Sequence, residues 1–374
     1  MSMAMFIRSV IDREGPISFA RFMELALYQP ELGYYSSGRC AIGRDGDYFT
    51  SVSVGPLFGR MMAAQFGEIW EKLGQPSEFT IVEQGAHHGE FAHDLLEELR
   101  ASAPKLFAEV SYRIVEPFSV LRQRQRKTLE AFAEQTSWVS SIEELDPFYG
   151  VHFSNELLDA MPVHLLVCEG GLWRERFVTT SSEGFAFVEG PVGNERLHAR
   201  LGKIPSLPNE RYETEVNLMA LDWIAALAPK LRQGIIIAAD YGFTRAEFYA
   251  ANRTTGTLQS RAAHRALPSP FTNPGKSDLT AHVEWSSLAE QAEEGGLTSI
   301  AFTDQHHFLT GLLARFPALA AGSAQESRAL QTLLHPEHLG MKFQFLALTR
   351  NFSKGSSLAA CTYAGEARRK LGLD

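Results

Sequence analysis

Four carboxylates in this chain stand at or just past the end of a short apolar run. Glu83 closes Phe79-Thr80-Ile81-Val82-Glu83, Glu116 follows Tyr112-Arg113-Ile114-Val115, Glu156 follows Val151-His152-Phe153-Ser154-Asn155, and Asp240 follows Ile235-Ile236-Ile237-Ala238-Ala239. Runs of this kind read as strands, so the acids fall at strand ends. In nucleotide-binding sheets the acid after the second strand accepts both hydroxyls of a ribose, which is the chemistry Glu116 offers. A solvated glutamate at a strand end is the plainer alternative. Glu156 and Asp159 stand three apart in Asn155-Glu156-Leu157-Leu158-Asp159-Ala160-Met161-Pro162. If Glu156 opens a helical turn, both carboxylates face one way. They could then grip a cation or take a proton, or simply favour a helix N-terminus.

The turn that would position such a site is Gln84-Gly85-Ala86-His87-His88-Gly89-Glu90. It follows an apolar run and precedes Phe91, Leu95, Leu96 and Leu99, which recur at helical spacing. A strand, a glycine turn and a helix bring backbone N–H groups and a helix N-terminus to whatever ligand sits at the strand's end. A dinucleotide fingerprint would need glycines at 85, 87 and 90, but His87 and Glu90 stand at two of them. No phosphate-binding loop of the G-x-x-x-x-G-K-[ST] kind is present either. The pairs His87-His88 and His306-His307 invite a metal, yet adjacent side chains diverge and no third ligand stands at zinc-site spacing. No metal is expected.

The elements around these residues alternate. Strands are expected at Phe79–Glu83, Ser111–Val115, around Val139, at Gly150–Ser154, Gly234–Ala239, Leu297–Phe302 and Met341–Leu348. Helices are expected at Ser18–Leu27 with Ser18 as cap, Phe58–Leu73, Glu213–Leu231, Phe308–Phe316 and Ala324–Leu334. Alternation of the two types predicts an α/β doubly wound sheet. Val163, Leu165, Val167, Trp173, Phe177, Phe185 and Phe187 alternate as antiparallel strands inserted into it. Residues 243–280 lack periodicity and read as a long loop, of the kind that is usually functional. Asp278 or Thr280 would cap the helix after it. The Gly- and Asp-rich stretch Ile42–Ser51 reads as a lid or a solvated connection. Arg122–Lys127 reads as the solvated face of a helix. The expected division is a helical cap with its lid loop over 1–78 and a sheet domain over 79–374.

Bulk properties narrow the function. A net charge of -9 argues against nucleic acid as a partner. No segment is long and apolar enough for a membrane helix, and Met1–Ile11 carries no long apolar signal core. Cys40, Cys168 and Cys361 are scattered, which suits a reducing compartment. Cytoplasm is expected for a bacterial chain and the mitochondrial matrix for a eukaryotic one.

Several stretches together resemble one family, the MidA-like S-adenosylmethionine-dependent methyltransferases, which include the mitochondrial protein arginine methyltransferase of respiratory complex I assembly. The similarity runs from Gly15-Pro16-Ile17-Ser18-Phe19 to Met341–Leu348. It rests on Gly33-Tyr34-Tyr35, Gly46-Asp47-Tyr48-Phe49-Thr50-Ser51, Phe58-Gly59, Asn155–Val163, Asp240-Tyr241-Gly242 and Pro274–Val283 in that order. Glu83, Gly85 and Gly89 keep the spacing of the family's acidic glycine loop, E-x-G-x-G-x-G. Where the family reads Pro-Gly-Arg between those glycines, this chain has Ala86, His87 and His88, and Val52-Ser53 replaces the usual Pro-Glu.

The resemblance implies a class I methyltransferase, a Rossmann-like seven-stranded sheet with its last strand antiparallel, and a helical N-terminal cap that could support a homodimer. It implies S-adenosylmethionine as cofactor and S-adenosylhomocysteine as product. It also places Thr50, Ser51, Glu83, Gly85, Ala86, His87, Gly89, Glu116, Pro117 and Asn155 against the cofactor, with Glu156, Asp159, Asp240 and His282 around the acceptor. Two carboxylates suit an arginine guanidinium in a protein substrate, whereas a His282 base suits the hydroxyl of a small molecule. A third reading is a non-catalytic assembly factor whose loop has been closed by His87, since a Cβ there restricts φ.

Overall fold

A computed structural model describes residues 1–40, 50–207, 210–262, 265–352 and 357–374. Gly46–Phe49 and most of the expected lid lie outside the described residues. The chain divides into two compact units, each assembled from separated segments. The first holds Met1–Tyr48, Leu158–Asp222 and Phe243–Glu284; the second holds Phe49–Leu157, Trp223–Gly242 and Trp285–Asp374. This division differs from the expected boundary at residue 78. The helix Leu57–Lys72 belongs to the second unit, and the inserted strands and the 243–280 stretch join the N-terminal helices in the first.

The first unit is built on an antiparallel sheet in the order Ile17–Ser18, Leu172–Ser181, His164–Glu169, Tyr212–Val216, with Gly184–Gly190 also on Leu172–Ser181. The expected alternation from Val163 onward is therefore a strand pattern. Helix Phe19–Tyr28 starts where Ser18 accepts a hydrogen bond from Arg21 N–H, and it buries Phe19 and Phe22 with Leu165, Val178 and Leu279. The 243–280 stretch is not structureless. It contains a short helix, Arg245–Phe248, and the strands Gln259–Ala262, Arg265–Ala266 and Asp278–Thr280 of a second small sheet. Asp278 and Thr280 thus lie in a strand, and the next helix begins only at Trp285. The helix expected over Glu213–Leu231 is a strand, Tyr212–Val216, followed by a helix from Leu218 to Leu227.

The second unit carries the large sheet. Its strands are β1 (Phe79–Gln84), β2 (Val110–Val115), β3 (Thr136–Val139), β4 (Phe148–Asn155), β5 (Leu231–Phe243), β6 (Thr298–Asp304) and β7 (Phe343–Arg350). They lie in the order β3-β2-β1-β4-β5-β7-β6. The five strands β1 to β5 are mutually parallel, and β7 runs antiparallel to both β5 and β6. Ile235, Ile236, Ile237, Ala238 and Ala239 of β5 are all buried, as a strand covered on both faces requires. Helices α1 (Leu57–Lys72), α2 (Glu90–Ser102) and α3 (Ser119–Thr128) belong to this unit. Phe58 and Phe66 of α1 and Phe91 of α2 meet Phe153 of β4, the Phe91 and Phe153 rings stacking at 4.7 Å. Strand order reverses between β1 and β4. In open parallel sheets the ligand crevice lies at that switch point, outside the carboxyl ends of the strands.

Candidate cofactor site

Register sets which residues meet at the switch point. Gln84 pairs with Val115 of β2 and with Ser154 of β4, and Ser154 pairs with Ala238 of β5. The next residue on each strand is therefore Gly85, Glu116, Asn155 and Ala239, all at one level of the sheet's C-terminal edge. Three of these were expected at the cofactor. Beyond them the backbone turns left-handed at alternate positions, with φ of +84° at Gly85, +45° at His87 and +90° at Gly89. A Cβ on Gly85 or Gly89 would find ordinary contacts at 3.5–3.6 Å, so these glycines answer to backbone conformation and not to crowding. Alternation of this kind curls peptide N–H groups toward one side, a shape that accepts anionic or electron-rich groups.

Glu116 is buried, with one bond to each carboxylate oxygen: Phe118 N–H to Oε1 at 2.9 Å and Gln125 Nε2–H to Oε2 at 3.0 Å. Burial pushes its pKa up to about 7 against the pull of these donors. Pro117 beside it is exposed. Glu83 lies deeper. It is buried on β1, accepts a hydrogen bond from the Tyr112 hydroxyl at 2.7 Å, and burial raises its pKa to about 8. Burial thus favours its neutral form, on the strand two residues before Gly85. Thr50 and Ser51 are also buried. Ser51 Oγ donates to Gln305 Oε1 at 2.8 Å, a buried contact far along the chain, while Thr50 Oγ1 accepts Ser53 N–H in a tight local turn.

Asn155 Nδ2 donates to Glu156 Oε1 at 3.0 Å, whereas its buried Oδ1 has no partner among the described residues. An unpaired acceptor at a ligand crevice fits a ligand's amino group. Glu156 does not open a helical turn. It sits at φ +52°, and two bonds to β5 fix it there, Glu156 N–H to Ala239 O and Leu157 N–H to Asp240 Oδ2. Asp240 also accepts Tyr241 N–H, so its carboxylate anchors the backbone that carries Glu156. Asp159 falls in the first unit, where its carbonyl accepts Ala281 N–H and the next residue, His282, donates its N–H to Thr257 Oγ1. Burial, and then Arg253 and Arg261, lower the His282 pKa to about 4, leaving a neutral imidazole. The structure thus groups Glu156 and Asp240 in one unit and Asp159 and His282 in the other.

The histidine pair has a third neighbour the sequence reading did not supply. Candidate ligand atoms of His87, His88 and Glu90 lie within 4.8 Å of one another, and the two imidazoles stack at 3.7 Å. Arg124 argues against a cation there. Its guanidinium donates to His88 Nε2 at 2.8 Å, which assigns the proton of neutral His88 to Nδ1, the atom that faces Glu90. A metal on Nδ1 would leave Nε2–H opposed to a guanidinium, the reverse of the acceptor that metal-bound imidazoles require. Asp304 caps the helix that carries His307, accepting the His307 N–H at 2.9 Å and meeting its Nδ1, and His306 Nδ1 meets Leu334 O. Two residues were missed by sequence reasoning. Gln125 and Trp138 stand behind Glu116, and the only available signal was that Leu121, Gln125 and Leu129 share one helical stripe.

An open sheet of this order, with an antiparallel final strand and an acid after its second strand, defines a class I methyltransferase architecture. A family model for S-adenosyl-L-methionine-dependent methyltransferases matches residues 61–303, and the chain belongs to that family. It is similar to the mitochondrial protein arginine methyltransferase NDUFAF7 homolog of Drosophila melanogaster, 29% identical over 93% of this chain and 84% of that one. NDUFAF7 of Mus musculus is 27% identical over 90% of this chain and 82% of its own. A crystal structure from Burkholderia thailandensis, bound to S-adenosyl-homocysteine, has a TM-score of 0.86 at 33% identity and covers 97% of this chain and 95% of that one. The chain is a methyltransferase that uses S-adenosylmethionine, and the residues at the switch point fit that cofactor. Glu116 offers two oxygens that suit a pair of ribose hydroxyls, and Asn155 Oδ1 is an acceptor without a partner among the described residues.

Proposed function

We propose that this chain methylates the guanidinium of an arginine in a protein substrate, with Glu156 as the group that orients the acceptor. The observation that carries the reading is the fixed left-handed conformation of Glu156, which the sheet holds at both its own N–H and that of Leu157. A carboxylate set this rigidly can meet a planar guanidinium with charge-assisted bidentate bonds. The relatives named as protein arginine methyltransferases support the same acceptor class.

S-adenosylmethionine supplies an electrophilic methyl group, so the chain itself needs neither a covalent intermediate nor a redox step. Glu116 holds the ribose, the Gly85–Gly89 turn forms the floor, and Asn155 takes a donor on the cofactor. Burial favours the neutral form of Glu83. Asp240 keeps Glu156 in place, and alignment of acceptor and methyl is the enzyme's main contribution. A small-molecule hydroxyl acceptor is the second reading, favoured by His282, whose imidazole is unprotonated at neutral pH and can accept a hydrogen bond from a hydroxyl. We assign the protein to a reducing compartment, bacterial cytoplasm or mitochondrial matrix, on its free cysteines, and retain the homodimer as a point for sedimentation velocity.

The test is transfer of labelled methyl from S-adenosylmethionine into protein extracts, followed by acid hydrolysis and amino-acid analysis. Methylarginine is expected. Glu156→Gln should lower turnover about 100-fold while leaving S-adenosylhomocysteine affinity within about threefold. Label in small molecules alone, or full turnover by the Glu156 variant, would overturn the arginine reading.

A further inference from the structure

The geometry points to Gln125 as a positioning residue for cofactor recognition, one that aims the ribose acid and ties it to the glycine turn. The inference rests on the reading of Glu116 as that acid. Gln125 lies on α3 within the basic run Arg122–Lys127, yet it is fully buried. Its Nε2 donates to Glu116 Oε2 at 3.0 Å and to the His87 carbonyl at 3.0 Å. Its Oε1 accepts Trp138 Nε1–H at 2.9 Å. An indole nitrogen can only donate, while a carboxylate and a carbonyl can only accept, so the amide has one allowed orientation. Trp138 thereby directs the amide nitrogen of Gln125 toward Glu116 and the His87 carbonyl.

Two consequences follow for the ligand. Each Glu116 oxygen has one protein donor and a remaining lone pair, which matches two adjacent hydroxyls. The His87 carbonyl belongs to a residue held at φ +45°, and the same amide that aims Glu116 also pins this strained peptide. A glutamate at 125 would set a charge against Glu116 and the carbonyl. An apolar residue would leave the indole N–H, a carboxylate oxygen and a carbonyl unpaired in a buried place.

Calorimetric titration with S-adenosylhomocysteine and with its analogue lacking both ribose hydroxyls tests this. The proteins are wild type, Gln125→Met, Trp138→Phe, Glu116→Gln and the Gln125→Met/Glu116→Gln double variant. Gln125→Met should weaken S-adenosylhomocysteine about tenfold and the dideoxy analogue less than about threefold. Trp138→Phe keeps the amide but removes its anchor, and should weaken the hydroxylated ligand selectively by about threefold, so the test survives a poorly folding Gln125 variant. The double variant should bind no more weakly than Glu116→Gln alone. Equal losses for both ligands, no loss in either Gln125→Met or Trp138→Phe, or full additivity in the double variant would overturn the role of Gln125. Preference for the hydroxylated ligand that survives Glu116→Gln, or is missing from wild type, would remove Glu116 from the ribose and the role of Gln125 with it.

Discussion

Replacing His152 by leucine should make the second unit resistant to mild acid. His152 sits in the middle of β4, between Val82 of β1 and Ile236 of β5, with the Trp223 ring edge-on at 5.6 Å. It is fully buried, and neither ring nitrogen has a partner among the described residues. Burial alone lowers its pKa from 6.5 to about 3. The sign follows directly. The unfolded chain takes up a proton near pH 6.5 and the folded one only near pH 3, so the stability of the neutral ring is complete above 6.5 and is lost as pH falls. At pH 5 the unfolded ring is about 1.5 pH units past its midpoint while the folded ring is still neutral, a loss of about 2 kcal/mol at 1.36 kcal/mol per unit. At pH 8 the loss is zero. Leucine has similar volume, carries no proton and leaves no nitrogen unpaired.

The assay is urea unfolding of wild type and His152→Leu at pH 8, 6.5 and 5, reading the difference between the two proteins at each pH. All other titrating groups are common to both and cancel. The variant should gain about 2 kcal/mol on wild type between pH 8 and pH 5. Parallel pH profiles would refute the reasoning, because they would mean that His152 reaches a partner or water in the folded state. The residue matters to the site through Trp223, whose indole N–H donates to Gln84 Oε1 at 2.9 Å, one residue before the glycine turn.

Glu83→Gln should stabilise the protein relative to wild type as pH rises. The Glu83 pKa is raised from 4.5 to about 8, so its contribution is present below 4.5 and is lost on the way to pH 8. By pH 7 the amide should lead by about 3 kcal/mol more than at pH 4.5, and equal melting shifts at pH 4.5 and 7 would sink the idea. His87→Gly relieves a left-handed side-chain-bearing residue worth about 1 kcal/mol, offset by the greater freedom of glycine in the unfolded chain. Net stability should change by less than about 1 kcal/mol while S-adenosylhomocysteine binds at least as tightly. Loss of binding in that variant would give the imidazole a direct role at the ligand.

What could be read in the sequence was the set of strand ends. Apolar runs located β1, β2, β4 and β5, and parallel pairing then forced Gly85, Glu116 and Asn155 to one level without further information. The family resemblance implied that the last strand is antiparallel, as β7 is. Less visible were features made by distant partners. Tyr212–Val216 carries two glutamates and looks helical, but Glu215 is buried because Thr257 N–H, Leu258 N–H and the Thr257 hydroxyl bind it from over forty residues away. Gln125 was hidden by its basic neighbours, since a polar residue on an apolar stripe announces a buried partner only when that partner is known. The two-unit division escaped because each unit is assembled from three segments.

The departures from the family's loop bear on one point of mechanism. At the C-terminal edge of the sheet, His87 and Glu156 are both side-chain-bearing residues with left-handed φ. Such conformations cost free energy and persist where surrounding bonds over-determine them. Here the bonds are explicit. Gln125 holds the His87 carbonyl, while Ala239 O and Asp240 Oδ2 hold the peptides on either side of Glu156. The middle position of the glycine turn therefore holds a left-handed backbone with histidine in place of glycine, next to strand ends in parallel register. A loop closed against the cofactor would have been expected to abandon that conformation first. His87 and His88 thus replace the family's residues in side chain, while the left-handed turn that carries them is held by this chain's own bonds.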